Sequence, residues 1–165
     1  MAGQERVGGF AVAAIREDGR WRCVPLDNAV LTNLDAAITA LREIRSPGAV
    51  IGLLNVDDEF FVIVRPVPTG VDLLLSDSSA ALDYDIAADV LDLLRVDTPD
   101  EDEDTEEAWP EGDLAILEDL GMPATELQVI IGDVDLWPDE QLRMIAQRCG
   151  FDSPFDELLA GRGLS

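Results

Sequence analysis

The stretch 49–77, AVIGLLNVDDEFFVIVRPVPTGVDLLLSD, constrains the fold more than any other part of the chain. Its apolar runs 49–54, 60–64 and 71–75 are divided by two breaks, Asn55-Val56-Asp57-Asp58 and Pro66-Val67-Pro68-Thr69-Gly70. Connections this short favour antiparallel strands in a meander. In Phe60-Phe61-Val62-Ile63-Val64 both alternating sets are apolar, so this strand needs cover on both faces.

The segment before it predicts two more strands and a helix. Residues 10–16, FAVAAIR, are apolar on both faces and belong at the centre of a sheet. Glu17-Asp18-Gly19-Arg20 is a hairpin turn, because Asp-Gly supplies the positive φ that such turns require. Residues 21–26 return as a second strand, which Pro25 ends or confines to an edge. Thr32 or Asn33 caps a helix over 33–45, where Leu34, Ile38, Leu41 and Ile44 recur near the helical period. Ser46-Pro47-Gly48 stops it. After the meander, Ser78 or Ser79 opens a helical stretch over about 79–94, with Asp83 or Asp85 as a re-cap and Ile86, Val90, Leu93 and Leu94 as its buried face. The result is an α+β domain with a five-stranded antiparallel sheet in the order β-β-α-β-β-β-α. This order is similar to the longin, roadblock and profilin-like folds over residues 8–95. That resemblance implies an adaptor or self-associating module.

Residues 97–107, DTPDEDEDTEE, are a low-complexity acidic run that repels itself and cannot be buried, so 96–112 is expected to be a flexible linker. Beyond it, Asp113 caps a helix over 114–120 that Gly121 closes. Pro123 opens a second with Leu127, Ile130 and Ile131, and Pro138 opens a third with Leu142, Ile145 and Cys149 on one side. Ser153-Pro154-Phe155-Asp156 reads as an N-cap with a capping-box acid. Such short helices are not stable alone. The region 113–165 must therefore pack on itself or on the second apolar face of the sheet domain, 1–95.

Composition excludes much chemistry. The chain carries 35 acidic residues against 11 basic ones, a formal charge of −24, and has no histidine. Its basic residues are all arginine. Without histidine there is no imidazole base, and without lysine no Schiff base or P-loop lysine. Direct nucleic-acid binding and an anionic membrane surface both demand clustered cations, so neither is expected. A basic protein partner suits the charge, although net charge also serves solubility alone. No apolar run is long enough for a membrane span, and the first residues lack a secretory pattern, so a cytoplasmic protein is expected. Cys23 and Cys149 have no metal-ligand spacing and read as reduced, buried thiols.

Among the carboxylates, Asp57-Asp58-Glu59 has the oxygen ligands for Mg²⁺ or Ca²⁺ but sits where a hairpin turn belongs. Asp133-Val134-Asp135-Leu136-Trp137-Pro138-Asp139 starts like an EF-hand loop. Its sixth position is Pro138 rather than glycine and its twelfth is Met144 rather than glutamate, which argues against calcium. No cofactor, metal or catalytic residue is expected. Trp21 reads as core. Trp109 and Trp137 stand at loop-to-helix junctions, where tryptophan more often plugs a seam than anchors an interface.

The segments GGFAVAAIREDGRW, VIGLLNVDDEFFVIVRPV, LLLSDSSAALDYDIAADVLDLL, the acidic run, GDLAILEDLG and DLWPDEQLRMIAQRCGF together resemble the actinobacterial tRNA adenosine deaminase-associated proteins. The likeness spans nearly the whole chain. It implies a non-catalytic accessory protein linked to the deaminase that makes inosine at the tRNA wobble position. It supplies no catalytic residues. The expected contacts to a basic partner are Asp100, Glu101, Asp102, Glu103, Asp104, Asp133, Asp135 and Asp139, with Trp109 or Trp137 as apolar anchor. A homodimer is the other arrangement that the chain admits.

Overall fold

The computed structural model describes residues 8–44, 46, 48–96, 110–133 and 135–161. Its centre is an antiparallel sheet of β1 (Gly9–Glu17), β2 (Arg20–Pro25), β3 (Val50–Val56), β4 (Phe60–Val67), β5 (Gly70–Leu75) and β6 (Glu111–Gly112). The strand order is β2-β1-β3-β4-β5-β6. The sheet thus has six strands, not five. The sixth lies within residues that read as linker: Gly112 and Glu111 pair with Leu74 and Leu75, and the Asp113 N–H donates to Leu73 O. Gly112 makes this approach feasible. Its φ is +114°, and a Cβ there would stand 2.2 Å from Leu73 O.

Strand alternation divides the interior into two cores. Ala11, Ala13, Ile15, Leu54, Val62, Val64 and Leu75 face one side, where α1 (Leu34–Glu43) and α2 (Asp85–Leu94) cover them. Phe10, Val12, Ala14, Leu53, Phe61, Ile63 and Leu74 face the other, beneath α3 (Ala124–Gly132), α4 (Pro138–Cys149) and α5 (Asp152–Gly161). One strand therefore serves both layers, and this is why β1, β3 and β4 carry no polar alternation. Gly52 on β3 lets α1 settle closely, since a Cβ there would be 2.7 Å from Leu41 Cδ1.

The helices follow from local chemistry. Asn33 Oδ1 accepts from the Ala36 N–H at the start of α1, which satisfies one of the four free donors at a helix N-terminus. Gln141 is buried on α4 and donates through Nε2 to Ile130 O at 2.8 Å. That carbonyl, in the last turn of α3, also accepts the Asp133 N–H at 3.3 Å, so the side chain ties α4 to the end of α3. On α5, Phe151, Phe155 and Leu159 recur every four residues along the approach to the helix and its body, and all three are fully buried.

Several elements differ from the sequence reading. Residues 114–120 form turns and one short 3₁₀ segment, Glu118–Leu120, rather than a capped helix. The stretch 79–94 is broken into a 3₁₀ turn, Ser78–Leu82, and α2. Leu93 faces outward and is 52% exposed, and Leu91 takes the buried place. Helix α5 starts at Asp152, so Ser153 lies inside it. Strand β4 runs through Pro66, which pairs with Val71 one step before the Val67–Gly70 pair that closes the β4–β5 hairpin.

Candidate interaction surface

At one end of the sheet the β3–β4 hairpin turns through Asp57 and Asp58, both left-handed with φ of 56° and 55°. A tight hairpin demands such angles, and aspartate tolerates them better than most residues. The two carboxylates then bind what surrounds them. Asp57 accepts from Gly8 N at 2.7 Å and from the Tyr84 hydroxyl at 2.8 Å. Asp58 accepts from Asn55 Nδ2 at 3.2 Å and from the Asp139 N–H at 3.3 Å. One turn thus holds both helical layers, through Tyr84 beside α2 and Asp139 on α4. Burial, then the bond to Asp57, pushes the Tyr84 phenol up to about 12. Burial, then the nearby Asp58 charge, raises the Asp139 carboxyl above its ordinary value. The turn is structural, and among the described residues no group of three or more candidate ligands is arranged for a metal.

The sequence-expected contacts fall in three classes. Asp100, Glu101, Asp102, Glu103, Asp104 and Trp109 lie outside the described residues. Asp133 and Asp135 are exposed on the α3–α4 connection, where Asp133 Oδ1 accepts from the Asp135 N–H at 3.0 Å. Asp139 is half-buried against Asp58, which leaves it less available than the other two. Trp137 corrects the expectation of a seam plug: it is 60% exposed. Its backbone N–H is held by Glu140 Oε1 at 3.2 Å, so α4 is capped without the indole. Trp21 does pack inward, with its ring 5.0 Å from Phe151.

Sequence reasoning missed a groove between α3 and α4. Met122, Thr125, Glu126, Val129, Ile130, Met144, Gln147 and Arg148 line a cavity of about 650 Å³. Val129 is 73% exposed and Met144 41%. The Glu126–Arg148 pair closes one side at 2.6 Å. The available signal was Val129 itself, an apolar residue beside the Ile130–Ile131 pair that already faces the core.

A second cleft, of about 620 Å³, gathers Arg16, Arg42 and Arg65 at the opposite end of the sheet. Its guanidinium groups have internal partners. Arg65 grips Asp119 with two bonds of 2.7 and 2.8 Å and reaches Ile116 O at 2.7 Å. The hydrogen bonds to Arg65 hold the Asp119 carboxyl below its usual range. Arg42 donates to Gly70 O at 2.7 Å, and Arg16 stands 5.9 Å from the centre of the Trp21 ring. The two thiols are free, and burial pushes Cys23 up to about 12 and Cys149 to about 11. Neither is a nucleophile at neutral pH.

A family model described as Rv3753c-like tRNA adenosine deaminase-associated protein matches residues 9–152. Protein Rv3753c of Mycobacterium tuberculosis (strain ATCC 25618 / H37Rv) is 58% identical over 143 residues, covering 87% of this chain and 83% of that protein. No solved structure matches. No helix among the described residues is long and apolar enough to cross a membrane.

Proposed function

The chain belongs to the Rv3753c-like tRNA adenosine deaminase-associated protein family, and from that membership we propose a cytoplasmic, non-catalytic accessory protein that binds the deaminase through an acidic surface. The observation that carries this reading is Trp137, 60% exposed beside the exposed Asp133 and Asp135. An exposed indole amid carboxylates suits an interface in which one apolar anchor is ringed by charge. A tRNA-handling enzyme presents arginine and lysine to phosphates. A chain at −24 would occupy such a surface and compete with tRNA for it. Asp100, Glu101, Asp102, Glu103, Asp104, Trp109 and Asp139 complete the proposed contact set. The absence of histidine and lysine supports the non-catalytic part.

The test is calorimetric titration of the deaminase at low and high salt, with wild type, Trp137→Ala, and a variant whose residues 97–107 are Gly/Ser. Binding is expected to weaken with salt, because exposed charges are screened over about 8 Å at physiological ionic strength, and to weaken in both variants. Absence of binding at low salt would refute the reading. A stable homodimer indifferent to the deaminase, seen by light scattering, would replace it with a self-associating adaptor.

A further inference from the structure

We propose that the α3–α4 groove is a docking site for one amphipathic helix of a basic partner protein. The inference rests on the interaction reading above, but it does not need the partner to be the deaminase.

The groove has an apolar floor and wall, Met122, Val129, Ile130 and Met144, edged by Thr125, Glu126, Gln147 and Arg148. Met122 and Ile130 are 0% and 8% exposed, whereas Val129 and Met144 above them are 73% and 41% exposed. Most apolar side chains of α3, α4 and α5 are buried in the core, so these two do not serve the fold. Trp137 caps the N-terminus of α4, about two turns before Met144, and is exposed outside the groove's own lining. Methionine at such a site adapts to different apolar partners.

The groove's construction selects a helix over a strand. Side chains of two helices line it, and the backbone groups of those helices are spent on their own hydrogen bonds. A strand would find no ladder to extend, whereas a helix needs only a stripe of apolar side chains. Helix α4 has 12 residues, or about 18 Å at 1.5 Å per residue, which matches a partner helix of three to four turns.

The charge around the groove selects the partner, since within the lining Glu126 and Arg148 neutralise each other and the neighbouring exposed groups are acidic. Glu126, Asp133, Asp135 and Glu140 stand on α3, the connection and the first turn of α4, and Arg148 is engaged by Glu126. A partner helix with leucine, isoleucine or methionine along one stripe and lysine or arginine beside it meets both features. A second copy of this chain does not. It would bring the same neighbouring acidic groups against themselves in a symmetric contact, with −24 on each copy.

The test is an NMR titration of the full chain with three synthetic peptides of about 15 residues, a length that can form a helix on binding. One carries leucine and lysine at amphipathic helical spacing, one replaces lysine by glutamate, and one scrambles the leucine/lysine order. The first should bind saturably, with shifts concentrated at Val129, Trp137 and Met144. The other two should bind about ten-fold or more weakly. Met144→Glu and, independently, Val129→Glu should each weaken the first peptide about ten-fold while leaving the melting temperature unchanged, because both side chains are substantially exposed. Equal binding of the scrambled peptide, shifts spread over the acidic surface, or unchanged affinity in both glutamate variants would overturn the proposal. So would a wild-type dimer that Met144→Glu makes monomeric. The two readings fail separately. Peptide binding without deaminase binding sinks only the proposed function. Deaminase binding without saturable binding of the leucine/lysine peptide sinks only the groove.

Discussion

Phe155→Ala tests whether the two layers fold as one unit. Phe155 is fully buried on α5, with its ring centre 5.8 Å from Phe10 at 68° and 6.0 Å from Phe151 at 84°. Truncating a buried phenylalanine to alanine costs about 3–5 kcal/mol in transfer and cavity terms. This site belongs near the middle or above, at about 4 kcal/mol, because both edge-to-face partners lose a contact worth about 0.5–1.5 kcal/mol each. Phe10 is fixed in β1 by its pairing with Asn55 of β3, so the cavity cannot readily collapse. Against a total stability of about 5–15 kcal/mol, the variant should remain folded but melt about 8–16 °C lower. Urea unfolding followed by tryptophan fluorescence and far-UV circular dichroism measures both the loss and its cooperativity. Trp21 reports on the α5 side through Phe151, while circular dichroism reports on the whole chain. Because β1 places Phe10 in one core and Ala11 in the other, the two signals should change together with an unaltered m-value. Phe155→Leu should cost only about 1.5 kcal/mol. A loss below about 1.5 kcal/mol for the alanine variant would refute the packing argument. A fluorescence transition preceding the circular dichroism transition would refute the single unit.

Two predictions follow from the charged and nucleophilic groups. The Asp119 carboxyl is lowered in the folded protein, mainly by its hydrogen bonds to Arg65. Its contribution is therefore present above the unfolded value of about 3.9 and is lost as pH falls through the folded value. Asp119 is 62% exposed, so Asp119→Asn should cost less than about 1 kcal/mol at pH 7, with the difference shrinking on acidification, as urea titrations at neutral and acid pH will show. The second concerns Cys23 and Cys149, whose thiols are pushed up to about 12 and 11 by burial. Iodoacetamide at mildly alkaline pH should alkylate them about a hundred-fold more slowly in the native protein than in urea, measured by intact mass.

What was legible in the sequence was what local pattern determines. The apolar faces of FAVAAIR and FFVIV located β1 and β4 between two layers before any partner was known. Pro123 and Pro138 marked the starts of α3 and α4 because proline fits a first helical turn. The sixth strand was not legible: a two-residue Glu-Gly pairing after an acidic run has neither length nor alternation, and it exists only because β5 presents Leu74 and Leu75 to it. The gathering of Arg16, Arg42 and Arg65 was equally hidden, because it depends on which strand ends meet. Trp137 misled for the opposite reason. Tryptophan's size favours burial, but Glu140 and the Trp137 backbone cap the helix, and the ring is left outside.

The two borders of the sheet bear on how the protein avoids edge-to-edge aggregation. An outer strand with free N–H and C=O groups is a template for another chain. On β5, the carbonyls of Leu73 and Gly70 are already taken, by the Asp113 N–H and by the Arg42 guanidinium, and β6 pairs with Leu74 and Leu75. On the far border, β2 carries Arg20, Arg22 and the donor-less Pro25. The interior strands FAVAAIR and FFVIV would stack readily if exposed, and a two-residue β6 on one border with a charged, proline-ended β2 on the other gives an added strand little to pair with.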